Sequence, residues 1–144
     1  MMLRKFEKED LGEVMRISEA AFGNSFDSRF YMAIHDTWDE GFVIYEEKGI
    51  VRGFIAGLIV YETEARILML AVDSNFRRKG IGGSLMGHFI ELCNTRGVRR
   101  IYLEVRVSNT NAVEFYLRYG FSKGSTYPGF YEDGEDALVM WKSL

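Results

Sequence analysis

The run Leu70-Ala71-Val72-Asp73-Ser74-Asn75-Phe76-Arg77-Arg78-Lys79-Gly80-Ile81-Gly82-Gly83-Ser84 carries the most chemistry in the chain. An apolar stretch ends, a cationic cluster with glycines follows, and helical spacing begins at Ile81. A strand that turns through glycines into a helix leaves N–H groups unpaired at the helix start. The positive end of the helix dipole lies there too, so the segment is a cradle for phosphate. Glycines let the anion come close to the backbone. Two nucleotide loops do not fit: a Walker A needs G-x-x-x-x-G-K-[ST], and a dinucleotide fingerprint needs glycine where Leu85 stands. A plain solvated basic loop would leave the neighbouring glycines unexplained.

The rest of the composition narrows the class. A length of 144 residues suits a single domain, 1–144. With 47% hydrophobic and 27% charged residues the chain reads as globular, neither disordered nor a coiled coil. A formal net charge of -3 gives no electrostatic case for nucleic acid. The N-terminus lacks the apolar stretch of a secretory signal, and no run approaches the roughly 20 apolar residues of a membrane span, so a cytoplasmic protein without a membrane partner is expected. The one cysteine, Cys93, cannot form an internal disulfide, and with His35 and His88 it lacks metal-ligand spacing, so no metal is assigned. Its place on a helical apolar stripe makes it a core thiol.

The elements that must position the cradle follow from periodicity. A short strand at 3–6 leads into a helix begun by Asp10-x-x-Glu13, a capping-box pattern, with Leu11, Val14, Met15, Ser18 and Phe22 on one face. Ser28 is a candidate cap for a short helix through Ile34. Strand-like runs at 42–47, 53–63 and 67–72, separated by Lys48-Gly49 and a turn at 64–66, predict an antiparallel meander. Ile81, Leu85, Phe89, Leu92 and Cys93 form the stripe of a helix lying on a sheet, and Gly97 ends it. Residues 100–107 alternate, with Ile101, Leu103, Val105 and Val107 on one face and Tyr102, Glu104 and Arg106 on the other. The strand, helix, strand crossover makes the two flanking strands parallel neighbours. Asn111-x-x-Glu114 is a candidate cap for a last helix that stops at Gly120, and 121–126 and 136–142 read as a terminal strand pair around an aromatic loop. The expected architecture is α+β: a mixed, mostly antiparallel sheet with helices on both faces, three layers α/β/α.

Arg77, Gly80 and Gly82 match R/Q-x-x-G-x-G/A, and Asn109, Ala112, Tyr116, Gly120 and Phe121 match N-x-x-A-x-x-x-Y-x-x-x-G-F. In that order and at that interval the two resemble the GNAT superfamily of N-acetyltransferases. Within it, Leu103-Glu104-Val105-Arg106-x-Ser108-Asn109 and Tyr131-x-x-Gly134-Glu135-Asp136-Ala137 are similar to ribosomal-protein alanine acetyltransferases and archaeal N-terminal acetyltransferases. The resemblance implies a GNAT-like fold and acetyl-CoA as co-substrate, with the acetyl group passed directly from the thioester to the N-terminal α-amine of a protein or peptide. Small amines such as polyamines or antibiotics, lysine side chains, and a non-catalytic CoA-binding regulatory role stay as alternatives. Nothing in the sequence fixes the oligomeric state.

The same resemblance implies site residues. Leu70, Ala71 and Val72 would meet the pantetheine through their backbones; Arg77, Arg78, Lys79, Gly80, Ile81, Gly82, Gly83 and Ser84 would hold the pyrophosphate; Asn109 would bond the pantetheine arm. Glu104 would serve as general base, directly or through water, and Tyr116 as general acid. Phe26, Tyr31 and Tyr131 would flank the acceptor. The chemistry is sound: a protonated amine cannot attack a thioester until a base takes its proton, and a thiolate leaves more easily beside a phenol that protonates it. The chain departs from some relatives at Gly23-Asn24-Ser25-Phe26, where certain N-terminal acetyltransferases carry an assisting glutamate.

Overall fold

A computed structural model describes residues 2–23 and 26–144. Seven strands, β1 (Met2–Lys5), β2 (Phe42–Glu47), β3 (Ile50–Tyr61), β4 (Glu64–Val72), β5 (Arg100–Arg106), β6 (Ser122–Tyr127) and β7 (Ala137–Ser143), form one sheet in the order β1-β2-β3-β4-β5-β7-β6. Four helices accompany them: α1 (Leu11–Phe22), α2 (Ser28–Thr37), α3 (Ile81–Arg96) and α4 (Thr110–Arg118). All neighbours are antiparallel except β4 and β5, which are parallel as the crossover requires. Residues 70–84 thus leave β4 and enter α3 at the middle of the sheet.

Each face of the sheet buries its own core. Leu85, Phe89 and Cys93 of α3 pack with Ile55, Ile101 and Leu103 on one side. Val14 and Ile17 of α1 and Tyr31 and Ile34 of α2 pack with Phe42, Ile44 and Phe54 on the other. The layers are α/β/α as expected. Cys93 is fully buried, and burial pushes its thiol up to about 12, which makes it inert packing.

Element boundaries differ from expectation where side chains find other partners. Asp10 does not cap α1: its carboxylate accepts from the Glu7 N–H (2.8 Å) and from both terminal nitrogens of Arg4 (2.8 Å each), while Glu13 pairs with Arg16. Asp27, not Ser28, caps α2 by accepting from the Arg29 N–H, and the helix runs past Ile34 to Thr37. Asn109, not Asn111, caps α4. The β3–β4 turn is Glu62-Thr63, because β3 and β4 stay paired to Tyr61↔Glu64. Phe22 and Val107, expected on inner faces, are exposed.

Two irregularities open the sheet at its centre. Between β3 and β4 the register passes from Ala56↔Met69 to Gly57↔Ile67, so Leu68 is one residue extra. Such a bulge inverts the side-chain alternation beyond it. Ala65 and Ile67 point to the α3 side, and beyond the bulge it is Leu70 and Val72 that do so while Met69 and Ala71 join the opposite core. The parallel ladder between β4 and β5 is also short, with only Glu64↔Arg100, Ala65↔Ile101 and Arg66↔Tyr102. Beyond Arg66 the two strands part.

Candidate active site

The parting of β4 and β5 opens a cleft of about 510 Å³ through the middle of the sheet. Residues 67–70 form one wall and 103–106 the other, with Asn109 at the cap of α4 and Ala112 and Tyr116 within it at one end, and Phe22, Phe26 and Tyr131 at the mouth. Of the residues named from sequence, Leu70, Glu104, Asn109, Tyr116, Phe26 and Tyr131 meet there.

The β4 wall offers backbone. The Asp73 N–H donates to the Arg52 carbonyl (2.7 Å), which places Asp73 in register with β3. By alternation Ala71 turns its peptide groups to β3, Leu70 turns its groups to the cleft, and Val72 turns its groups to the continuation of that open edge, where its carbonyl accepts from Arg77 Nε (3.5 Å). The Ala71 side chain is buried against the α1 side, while its neighbours present the strand edge.

At the far end of β4 the chain makes a 3-10 turn (Ser74–Phe76), then left-handed bends at Arg78 (φ 65°) and Gly80 (φ 79°) before α3. Gly80 is the N-cap and supplies no side-chain cap. The Ser84 N–H bonds the Gly80 carbonyl (3.0 Å), so the N–H groups of Ile81, Gly82 and Gly83 are the ones a helix leaves over. Only the hydroxyl of Ser84 remains for a ligand, and the Ile81 side chain is core. Arg77, Arg78 and Lys79 immediately precede this opening in the chain, with Arg77 Nε donating to the Val72 carbonyl (3.5 Å) and Lys79 Nζ 5.2 Å from the Phe76 ring centroid. Gly82 and Gly83 face α4: a Cβ on Gly82 would meet the Phe115 ring at 3.4 Å, and one on Gly83 would collide with the Tyr119 hydroxyl. Their lack of side chains serves helix packing as well as anion approach. Uncapped donors, dipole and cations suit a diphosphate, and the open strand edge suits the amides of a pantetheine arm.

Glu104 stands on the cleft face of β5, largely buried, with its backbone held opposite Val139 of β7. It pairs with neither Arg106 nor Arg118. Both Nη2 (2.7 Å) and Nε (2.9 Å) of Arg66 donate to its Oε1. Arg106 turns away, donating to Asp133 (2.8 Å) and Glu135 (2.9 Å) and stacking 4.1 Å from the Tyr131 ring centroid. Hydrogen bonds from Ser108 and Arg106 hold the Glu135 carboxyl below its usual range. Tyr116 lines the same cleft, and burial, with a contribution from Tyr131, pushes its phenol above the ordinary value, so it stays protonated. Burial also raises Tyr131. Asn109 accepts from the Ala112 N–H through Oδ1 (3.2 Å), which spends that oxygen on the helix cap and leaves its amide nitrogen as the donor.

The acceptor assignments divide. Phe26 and Tyr131 line the mouth, but Tyr31 is fully buried and donates its hydroxyl to Ser18 (2.9 Å). Tyr31 supports the mouth from behind, edge-on to Phe26 with centroids 6.3 Å apart. Asn24 and Ser25, in the segment that lacks the assisting glutamate, lie outside the described residues. Sequence reasoning misses Arg66 and Leu68. A signal exists for Arg66, an opposite charge on the strand that should neighbour β5; none exists for Leu68.

Parallel strands that part beside an uncapped, glycine-opened helix start define a coenzyme A-dependent acyltransferase. Residues 11–121 match the acetyltransferase (GNAT) family, and the chain belongs to that family. It is 34% identical to an uncharacterized N-acetyltransferase of Methanocaldococcus jannaschii, over 99% of this chain and 91% of that one. The structure of Ard1 from Thermoplasma volcanium superposes with a TM-score of 0.97 at 37% identity, over 99% of this chain and 97% of the other. That of the ribosomal-protein-S18-alanine N-acetyltransferase from Escherichia coli does so with a TM-score of 0.86 at 27% identity, over 99% and 92%. The protein is an N-acetyltransferase with acetyl-CoA as co-substrate. No helix among the described residues is long and apolar enough to cross a membrane.

Proposed function

We propose that this chain, acting as one domain over 1–144, acetylates the N-terminal α-amine of proteins or peptides. The observation that carries the reading is the meeting of Glu104 and Tyr116 in one cleft whose mouth is walled by Phe26 and Tyr131. Acetyl-CoA supplies the activated acetyl thioester. The N–H groups of residues 81–83, helped by Arg77, Arg78, Lys79 and the Ser84 hydroxyl, hold the pyrophosphate. Leu70 and Val72 bond the pantetheine through their peptide groups and Asn109 through its amide nitrogen. Glu104 takes the ammonium proton through Oε2, directly or by way of a water, and Tyr116 donates its proton to the departing sulfur.

The acceptor follows from proton chemistry. An α-amine has a pKa of about 7.7–8.0 against about 10.4 for lysine, so near neutrality far more of it is already nucleophilic and one carboxylate is base enough. The polyamine alternative would need free acids at the mouth. Of the four acids in that loop, Asp133 and Glu135 are paired with Arg106 and Asp136 accepts from the Gly129 N–H, which leaves the exposed Glu132 as a single acid rather than a cluster. A relative named for a ribosomal protein supports a cytoplasmic reaction.

The test compares a peptide with a free α-amine and arginine in place of lysine, an N-blocked peptide with one lysine, and spermidine. The first should be acetylated fastest. Faster modification of the blocked peptide or of spermidine refutes the assignment. A panel varying the first residue then defines selectivity.

A further inference from the structure

We propose that Arg66 is the positioning residue of Glu104, anchoring one carboxylate oxygen so that the other is held toward the acceptor. The inference rests on the reading of Glu104 as base. Arg66 is held by the sheet on both sides, opposite Leu58 on β3 and Tyr102 on β5, at the last rung before the strands part. Two residues further the backbone bulges at Leu68, and Glu104 itself projects where β5 has lost its β4 neighbour. The carboxylate therefore needs an anchor that the ladder no longer supplies.

Arg66 supplies it asymmetrically. Two of its N–H groups, at 2.7 and 2.9 Å, converge on Oε1 alone. A fork spanning both oxygens would take a lone pair from each; convergence on Oε1 anchors that oxygen and leaves both lone pairs of Oε2 for the acceptor. The terminal torsion of glutamate is broad and nearly two-fold, so without the grip the carboxylate would sample orientations that do not meet the amine. The pair is partly shielded, with 32% and 13% of the two side chains exposed, so solvent does not compete it away as at an open surface.

The other groups around Glu104 cannot take over. Arg106 is spent on Asp133 and Glu135, and Tyr102, Tyr131 and Tyr116 are phenols that burial keeps protonated. Arginine suits the task better than lysine, because its rigid guanidinium brings two N–H groups to one oxygen together, whereas a lysine ammonium is a mobile point charge.

The experiment is a double-mutant cycle with Arg66→Met and Glu104→Gln, plus Arg66→Lys, read by steady-state kinetics on a free-α-amine peptide. Acetyl-CoA thermal shift confirms that each variant is folded and binds. Arg66→Met should lower kcat about tenfold, as a small misplacement of a reacting group does, with the acetyl-CoA KM changed less than about twofold. Arg66→Lys should recover part of the loss. In the Glu104→Gln background Arg66→Met should cost less than about twofold, since no base remains to position. Equal losses in both backgrounds, or wild-type kcat for Arg66→Met beside a slow Glu104→Gln, overturn this inference alone. Wild-type turnover by Glu104→Gln overturns the base assignment and this inference with it.

Discussion

Gly57→Ala should destabilise the fold although it adds one methyl group. A Cβ at this position would lie 2.5 Å from Phe89 Cζ, 2.7 Å from Cε2 and 2.9 Å from the Arg66 carbonyl oxygen. Ordinary contacts begin near 3.4 Å, so the ring would have to retreat by almost 1 Å. Phe89 is fully buried and meets Trp38 edge-on at 5.8 Å, so the retreat must push on packed core neighbours. Overpacking of this kind costs about 1–3 kcal/mol, and contact with backbone as well as a ring puts Gly57 near the upper end. The stiffer unfolded chain returns about 0.4–1 kcal/mol, leaving about 2 kcal/mol net. For a domain of this size that is a fall in Tm of about 6 °C. Thermal unfolding followed by circular dichroism measures it, and Phe89→Leu makes the test specific. With the ring gone, Gly57→Ala should cost at least about 1 kcal/mol less than in the wild type. A Tm at or above wild type, or the same loss in the Phe89→Leu background as in the wild type, would refute the packing argument.

Three further outcomes follow from the site and the fold. Saturating acetyl-CoA should stabilise the protein by about 2.7 kcal/mol at a hundredfold excess over Kd, measured by calorimetry, and Gly82→Val should largely remove the effect because its side chain would strike Phe115 and close the cradle. Glu104→Gln should lower turnover more at neutral than at alkaline pH, where the amine deprotonates unaided, and Tyr116→Phe should slow acetyl transfer without weakening acetyl-CoA binding, each by about 10²–10⁴-fold at neutrality. Burial works against the Asp10 carboxylate, yet hydrogen bonds from Arg4 and the Glu7 N–H, with the Arg4 charge, hold its carboxyl below the usual range. A folded-state pKa below the unfolded one gives stability that is present above about pH 4 and is lost as pH falls through the folded value. Asp10→Asn should therefore cost about 2 kcal/mol near neutrality in denaturant titrations, and the difference from wild type should shrink in acid.

The helix on the sheet, the parallel crossover and the glycine-opened helix start are all legible, because each rests on short-range spacing: the stripe from Ile81 to Cys93, the alternation from Ile101 to Val105, and the glycines at 80, 82 and 83. Caps fall one or two residues from their expected places where two candidates stand close together, as with Asn109 and Asn111 or Asp27 and Ser28. In such cases the winner is decided by tertiary packing of the helix face. The bulge at Leu68 is invisible because Ile67-Leu68-Met69-Leu70 is apolar throughout, and an inserted residue leaves no mark on a pattern that does not alternate. Tyr31 defeats sequence reasoning for a related reason. An aromatic near a predicted acceptor loop reads the same whether it faces solvent or core, and its burial depends on a hydroxyl partner, Ser18, contributed by another helix. The pairing of Arg66 with Glu104 needs the β4–β5 register, which the crossover implies only in outline.

The three rungs between β4 and β5 have a mechanical meaning. The sheet is two rafts, β1 to β4 and β5 to β7, joined by backbone pairing at one corner and by the shared core under α3, and parted elsewhere by the cleft. A molecule that bonds the bare edge of one raft and touches α4 on the other acts as the missing seam. Amides of 67–72 that exchange freely with solvent before binding should then slow together with those of α4, so that hydrogen exchange would record the ligand as a change in how the two rafts move against each other.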